Sequence, residues 1–244
     1  MRKVVVYMGD ERIYNGMETA CKSLLHHTPV NQVYFLTDTP KYPRRLPKII
    51  STIDVSHQTI FPVPGPNYHP HYGYMTWMRA ALTKILPDEH VVLLLDPDTI
   101  VVDDISGIWD YDVSNYYLAA VQETRFFNQG PIHKKSPYFN AGVMLLNLDL
   151  MRADGIDNTI IHTINTVHYQ HLEQDIINYT CDKHILSLPS EYNTSFVTEL
   201  TVHPRIRHFL SYAKDELPTY AEPYEQLKWK DVRFVKGVKS FASK

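Results

Sequence analysis

Five consecutive aliphatic residues, Val91-Val92-Leu93-Leu94-Leu95, run directly into Asp96-Pro97-Asp98-Thr99. A strand that is apolar at every position offers no face to water, so it belongs in the middle of a sheet covered on both sides. That demand excludes a one-sided sheet and points to an α/β architecture. The N-terminal third supplies a matching unit. Val4 to Met8 reads as a first buried strand ended by Gly9-Asp10. Met17, Cys21, Leu24 and Leu25 recur at helical spacing up to His27, and Val33 to Leu36 is a second strand closing at Thr37-Asp38. Strand, helix, strand in this order predicts a βαβ unit and a Rossmann-like domain with a mostly parallel central sheet flanked by helices.

Farther along, Phe61 to Tyr74 forms a loop rich in Pro, Tyr and His that leads into an expected helix from Met75 to Leu86. Leu118 to Val121 and Ala141 to Leu146 are further apolar runs, separated by a polar, aromatic loop from Glu123 to Tyr138. Ile156, Ile160, Ile164 and Val167 mark an amphipathic helix, a second begins in the stretch Gln174 to Tyr179, and Ile206 to Phe209 is a short late strand. No repeat, low-complexity tract or linker interrupts the chain, so residues 1–244 read as a single domain with a lysine-rich tail from about Trp229.

Composition narrows the function classes. With 44% apolar and 21% charged residues the chain is an ordinary globular sequence, which argues against disorder. A formal net charge of −3 argues against nucleic-acid binding through a broad basic face. The two cysteines, Cys21 and Cys181, both fall in apolar helix patterns and can build neither a disulfide framework nor a cysteine-rich zinc site. A reducing, cytoplasmic location is the expectation. The first apolar run is too short for a signal peptide, and no stretch is long and apolar enough to span a membrane, so contact with a membrane is expected to be peripheral at most, through the lysine-rich tail.

The chemistry concentrates at Asp96 and Asp98. Both stand where a buried strand emerges at its carboxyl end, the place where open α/β sheets bind ligands. In extended chain, positions i and i+2 point the same way, and Pro97 biases Asp96 towards extension. Two converging carboxylates repel unless a cation lies between them, which makes a hard divalent metal the natural partner. The fragment reads equally as a turn-forming Asp96 followed by a solvated Asp98. It is not an EF-hand loop, since Val101 and Gly107 occupy the positions that need glycine and glutamate. A phosphate loop of the glycine-lysine type, a dinucleotide-binding glycine fingerprint, a nucleophile elbow and a zinc-protease helix are all missing. His69-Pro70-His71 reads as a surface or acceptor-side feature.

Five segments taken together resemble the family 8 retaining glycosyltransferases, the group of glycogenin and of bacterial lipooligosaccharide galactosyltransferases. The Asp-x-Asp pair is Asp96 and Asp98. Arg79 stands seventeen residues earlier, where the family has its donor-binding arginine. Tyr138-Phe139-Asn140-Ala141-Gly142-Val143 follows, then Leu172-Glu173-Gln174-Asp175-Ile176, then His208 to Lys214. The resemblance implies a GT-A fold and a metal-dependent transfer of a hexose, glucose or galactose above all, from a UDP-sugar to a carbohydrate or glycoconjugate acceptor.

The same resemblance assigns roles. Asp96, Asp98 and His208 would hold Mn2+ or Mg2+, and Arg79 and Lys214 would face the diphosphate. Asp10 and Tyr14 would meet the nucleoside, with Tyr14 stacking on the base. Glu123, Asn140 and Gln174 would line the donor sugar, with Gln174 and neighbouring Asp175 closest to the reacting carbon. Two departures stand out: Ser211 replaces the family's glycine, and Lys214-Asp215-Glu216 replaces its Lys-Pro-Trp. They leave open a second expectation, a catalytically weak or silent module that binds nucleotide-sugar. A nucleotidyltransferase would need a glycine-rich basic loop after the first strand, and Gly9-Asp10-Glu11-Arg12 is a poor one.

Overall fold

The computed structural model describes residues 1–68, 73–124, 137–210, 216–232 and 234. Its centre is a seven-stranded sheet in the order β3-β2-β1-β4-β7-β6-β8. The strands are β1 (Val4–Gly9), β2 (Gln32–Thr37), β3 (Ile50–Asp54), β4 (Val91–Leu95), β6 (Leu118–Gln122), β7 (Phe139–Asn147) and β8 (Ile185–Leu188). Pairs β3–β2, β2–β1, β1–β4 and β6–β8 are parallel, whereas β7 runs antiparallel to both β4 and β6. The expectation of a mostly parallel sheet flanked by helices holds. The reversed β7 could not be read beforehand, because its nine residues are all buried and a strand buried on both faces looks the same in either direction.

Alternate side chains of each central strand enter two separate cores. Val5, Tyr7, Leu93, Leu95, Val143 and Leu145 pack on one face against α1 (Tyr14–His27). Val4, Val6, Val92, Leu94, Met144 and Leu146 pack on the other. That second face is covered by α2 (Leu82–Ile85), α3 (Leu148–Asp154), α4 (Ile156–Thr166) and α5 (Leu172–Thr180). Met17, Leu24 and Leu25 anchor α1, each fully buried apolar side chain contributing about 1.5–3 kcal/mol. Cys21 and Cys181 are both buried free thiols. Among the described residues no helix is long and apolar enough to cross a membrane.

Two local expectations change. The segment expected as one helix from Met75 is a 3-10 helix over Met75–Ala81 followed by the single turn of α2. Six of those seven residues are buried, so the run carries no polar stripe by which a period of 3.0 could be told from 3.6. At Asp96-Pro97-Asp98 the chain does not stay extended. It turns, with the Thr99 amide and hydroxyl donating to the Asp96 carbonyl at 3.1 and 2.7 Å.

That turn feeds the element that places the site. Strand β5 (Thr99–Val101) leaves the main sheet and pairs antiparallel with β9 (Ile206–His208), setting Thr99 opposite His208. The Phe209 amide donates to the Asp98 carbonyl at 2.9 Å, closing the ladder beside the turn. On the other side the Asp96 amide donates to the Gly142 carbonyl at 2.8 Å, continuing the β4–β7 register. The carboxyl ends of β1, β2, β4 and β6 and the amino end of β7 therefore share one edge of the sheet.

Candidate active site

At this edge Asp96, Asp98 and His208 bring one ligand atom each to within 4.8 Å of one another. The two carboxylates are partly exposed, and the histidine ring is buried. His208 Nε2 lies 3.3 Å from Asp98 Oδ1 and 3.8 Å from Asp96 Oδ2 yet makes no hydrogen bond. A buried ring nitrogen left without a partner between two carboxylates is costly unless a cation completes it. Two carboxylates and one imidazole, with room left for oxygen ligands, suit Mn2+ or Mg2+, so the residues fit the metal that the sequence implies. Burial lowers the His208 pKa, and the charges of Asp98 and Asp96 more than reverse this, so the net shift is upward.

A glycine makes the approach possible. A Cβ on Gly142 would lie 2.7 Å from His208 Nδ1 and 2.8 Å from Nε2, inside the ring's van der Waals envelope. The glycine of the Asn140-Ala141-Gly142 segment is thus a slot for the imidazole.

Arg79 arrives from the 3-10 helix, fully surrounded. Its NH2 group donates to Asp96 Oδ1 at 3.0 Å and its NH1 group to the Ala141 carbonyl at 2.6 Å. Its Nε donates to the Thr76 carbonyl at 2.9 Å and stands 3.3 Å from Glu173 Oε1. Burial alone would lower the Arg79 pKa, but Asp96 and Glu173 raise it. Burial raises the pKa of Glu173, and Arg79 works against that. Arg79 was expected at the diphosphate. In the structure its guanidinium bonds Asp96, Ala141 and Thr76 and orients the Asp96 carboxylate.

The residues expected to line the donor sugar form a connected set. Asn140 Nδ2 donates to Glu123 Oε1 at 2.9 Å and to Gln174 Oε1 at 3.3 Å. The Ala141 amide donates to Gln174 Oε1 at 2.9 Å, while Gln174 Nε2 donates to Glu123 Oε1 and the Tyr138 hydroxyl at 3.2 and 3.0 Å. Glu123, Asn140 and Gln174, distant in sequence, are brought together by these bonds. Asp175 is not beside them at a surface. Its buried carboxylate accepts from the Tyr138 hydroxyl at 2.7 Å and from the His171 amide at 2.9 Å. It braces Tyr138, which in turn holds Gln174. Burial, together with the charge of Asp175, drives the Tyr138 pKa far upward, so the phenol stays protonated and donates.

The residues expected at the nucleoside are arranged differently. Asp10, Arg12, Asp38, Gln58, Tyr68 and Tyr74 are among the residues lining an open cleft of about 660 Å³ at the ends of β1 and β2. Asp10 is at its wall, and its carboxylate is held by Arg12, whose Nε is 3.0 Å from both oxygens. Tyr14 requires correction. Its ring is 3% exposed and packs against Tyr42 with centroids 4.7 Å apart, so it is not open to stack on a base. Its hydroxyl donates to Asp38 Oδ1 at 2.9 Å, and burial pushes its pKa to about 12. Lys214 and Ser211, together with His69-Pro70-His71, lie outside the described residues.

Sequence reasoning missed Glu173, Tyr138 and Asn193 as working members of this constellation. Tyr138 and Glu173 sit inside matched segments and were available. Asn193 gave no signal, because nothing in Glu191-Tyr192-Asn193-Thr194 indicates that the chain returns there to His208.

Comparison with known proteins fits this geometry. The family model described as Glycosyl transferase family 8 matches residues 4–214. The chain belongs to this family. Glycosyltransferase GlyE of Streptococcus pneumoniae serotype 4 is 28% identical over 208 residues, covering 79% of this chain and 48% of GlyE. A putative glycosyltransferase of Haemophilus influenzae is 29% identical over 126 residues, covering 48% of this chain and 38% of that protein. The chain thus spans about half the length of these curated relatives or less. Among solved structures, that of GlyE superposes with a TM-score of 0.71 at 22% identity, covering 95% of this chain and 62% of that one. Galactosyltransferase LgtC, solved in complex with donor and acceptor sugar analogs, gives 0.70 at 20% identity, covering 93% of this chain and 98% of that one. The fold of this family 8 chain is the GT-A type of these glycosyltransferases.

Proposed function

We propose that the chain is a retaining, metal-dependent glycosyltransferase that moves a hexose, glucose or galactose, from a UDP-sugar to a carbohydrate or glycoconjugate acceptor. The observation that carries this is the meeting of Asp96, Asp98 and His208 on the same sheet edge as the Asn140–Gln174–Glu123 set. In this reading Asp96, Asp98 and His208 would hold Mn2+ or Mg2+, which would supply positive charge to the diphosphate leaving group. Lys214 adds positive charge there. The 3-10 helix Met75–Ala81 joins the two halves of the donor site, since Met75 lines the cleft and Arg79 orients Asp96. Base and ribose occupy the cleft at Asp10 and Asp38, and the hexose lies along Asn140, Glu123 and Gln174.

Gln174 is half-buried, and its Oε1 is aimed by two N–H donors, Ala141 N and Asn140 Nδ2. An amide oxygen is a poor nucleophile but a fixed dipole that stabilises positive charge at the anomeric carbon. The acceptor hydroxyl therefore attacks on the face the diphosphate leaves, and its proton passes to the departing phosphate oxygen. Asp175 and Tyr138 hold Gln174 in place during this step. We read the 244 residues as one catalytic domain acting in the cytoplasm.

The test is a screen of UDP-sugars with Mn2+, reading released UDP, followed by NMR of the product's anomeric configuration. Release of UDP with an α-linked product is expected. A chain that binds UDP and metal but releases nothing would be a silent nucleotide-sugar module, and a β-linked product would refute retention.

A further inference from the structure

One hydrogen-bond chain ending at the metal site has a direction that a backbone amide dictates. The Gly142 N–H can only donate, and the atom 3.0 Å from it on Asn140 is therefore the carbonyl oxygen Oδ1. The other end of that amide agrees, because Asn140 Nδ2 faces the acceptor-only carboxylate of Glu123. Asn193 approaches Asn140 Oδ1 at 2.9 Å and must do so with its donor, Nδ2. Its own Oδ1 is then the atom 3.0 Å from His208 Nδ1. A carbonyl oxygen cannot donate, so the hydrogen between them belongs to Nδ1. The remaining ring nitrogen, Nε2, is the one that faces Asp96 and Asp98.

Asn193 is built to hold this arrangement. It is fully buried, its amide N–H donates to the Ser190 carbonyl at 3.1 Å, and its carbonyl accepts from Thr198 Oγ1 at 2.6 Å. Both ends of its side chain are thereby used, one on the metal-side histidine and one on the sugar-side asparagine.

We propose that Asn193 is a positioning residue that fixes His208 as the Nδ1–H tautomer with Nε2 as the ligand atom, and that it ties the metal site to the Asn140–Gln174 pair. The proposal rests on the metal-dependent reading above. A hydrogen bond that locks the non-ligating nitrogen sets ring orientation and raises ligand basicity, and its loss costs roughly 10–100-fold in metal affinity. Replacing Asn193 by Asp keeps an acceptor for Nδ1–H but removes the donor to Asn140, so it separates the two functions.

The experiment is a Mn2+ titration of the full chain followed by EPR of free Mn2+, on wild type, His208→Ala, Asn193→Ala and Asn193→Asp, with thermal melts alongside. Expected are weak binding by His208→Ala, binding about 10–100-fold weaker in Asn193→Ala, and near wild-type binding in Asn193→Asp. Asn193→Asp should still lose turnover of UDP-sugar, because Asn140 has lost its partner. Wild-type binding by Asn193→Ala while His208→Ala loses metal overturns the role of Asn193 alone. Failure of Asn193→Asp to restore binding, with a native melt, does the same. Wild-type binding by His208→Ala sinks the metal reading and this inference with it. Folding of the variants does not limit the test, because nitrogen-15 NMR of metal-free wild type at alkaline pH reads the tautomer directly. A hydrogen on Nδ1 supports the proposal, and one on Nε2 refutes it.

Discussion

The two ends of the 3-10 helix Met75–Ala81 stand in opposite surroundings. At its far end Arg79 is buried and bonded to Asp96, Ala141 and Thr76, and the neighbouring groups are bonded in turn. At its start Met75 borders an open cleft where Asp10 is held by the half-exposed side chain of Arg12 and by the Arg12 backbone amide. The metal end is over-determined, since nearly every polar atom has a partner and His208 Nε2 is left over. The cleft end is provisional, and its contacts are ones a ligand can replace cheaply. In the proposed reading, preorganisation lies where charge would develop in the reaction, and adaptability where a nucleoside would enter and leave.

The largest effect should come from the metal end. Asp96→Asn or Asp98→Asn should reduce UDP-sugar turnover at least about a hundredfold and abolish metal-dependent UDP binding, with the melting curve nearly unchanged. Near-normal activity of either variant in the presence of a chelator would erase the contrast between the two ends.

Gly142→Ala comes next. Its new methyl must displace the His208 ring, which should cost about 1–3 kcal/mol of stability and most of the Mn2+ affinity. Calorimetry and a Mn2+ titration check both, and a variant with wild-type metal affinity would mean that the slot can yield.

The cleft should respond far less. Arg12→Ala removes the guanidinium from the carboxylate of Asp10 and leaves the backbone amide of residue 12 on it, so UDP affinity, measured by calorimetry, should rise by less than about tenfold. A loss of a hundredfold would show Arg12 to be a ligand-binding group and the cleft to be as preorganised as the metal end.

The smallest effect concerns the support behind Gln174. His171 lies 3.3 Å from Asp175, which raises the His171 pKa above 6.5, while the hydrogen bonds from His171 and Tyr138 hold Asp175 below 3.8 against the effect of burial. A raised histidine pKa gives stability that is complete below 6.5 and is lost as pH rises through the folded value. A depressed aspartate pKa gives stability that is present above 3.8 and is lost as pH falls through the folded value. The difference in melting temperature between wild type and His171→Gln should therefore be greatest between pH 3.8 and 6.5 and shrink on the alkaline side. A difference that does not vary with pH would show the contact to be one of packing alone.

What the sequence determined by itself was the set of elements with strong local signals. The all-apolar β4 demanded two covered faces, α1 announced its buried stripe, and the Asp-Pro-Asp at a strand end marked the chemistry, because burial and turn formation leave traces in neighbouring residues. The edge strand β3 and the outlying β8 were not read, since partial burial leaves no continuous apolar run. Only tertiary structure decided the rest. It reversed β7, turned the chain at Asp96 so that the carboxylates converge by a bend and not by strand alternation, and buried Tyr14 against Tyr42. It also bonded Arg79 to Asp96 and brought Asn193 to His208. Each of these is a relation between residues far apart in the chain, set by sheet register and by the pairing of β5 with β9. No local periodicity encodes such distances, so the site's residue types were legible while their division of labour was not.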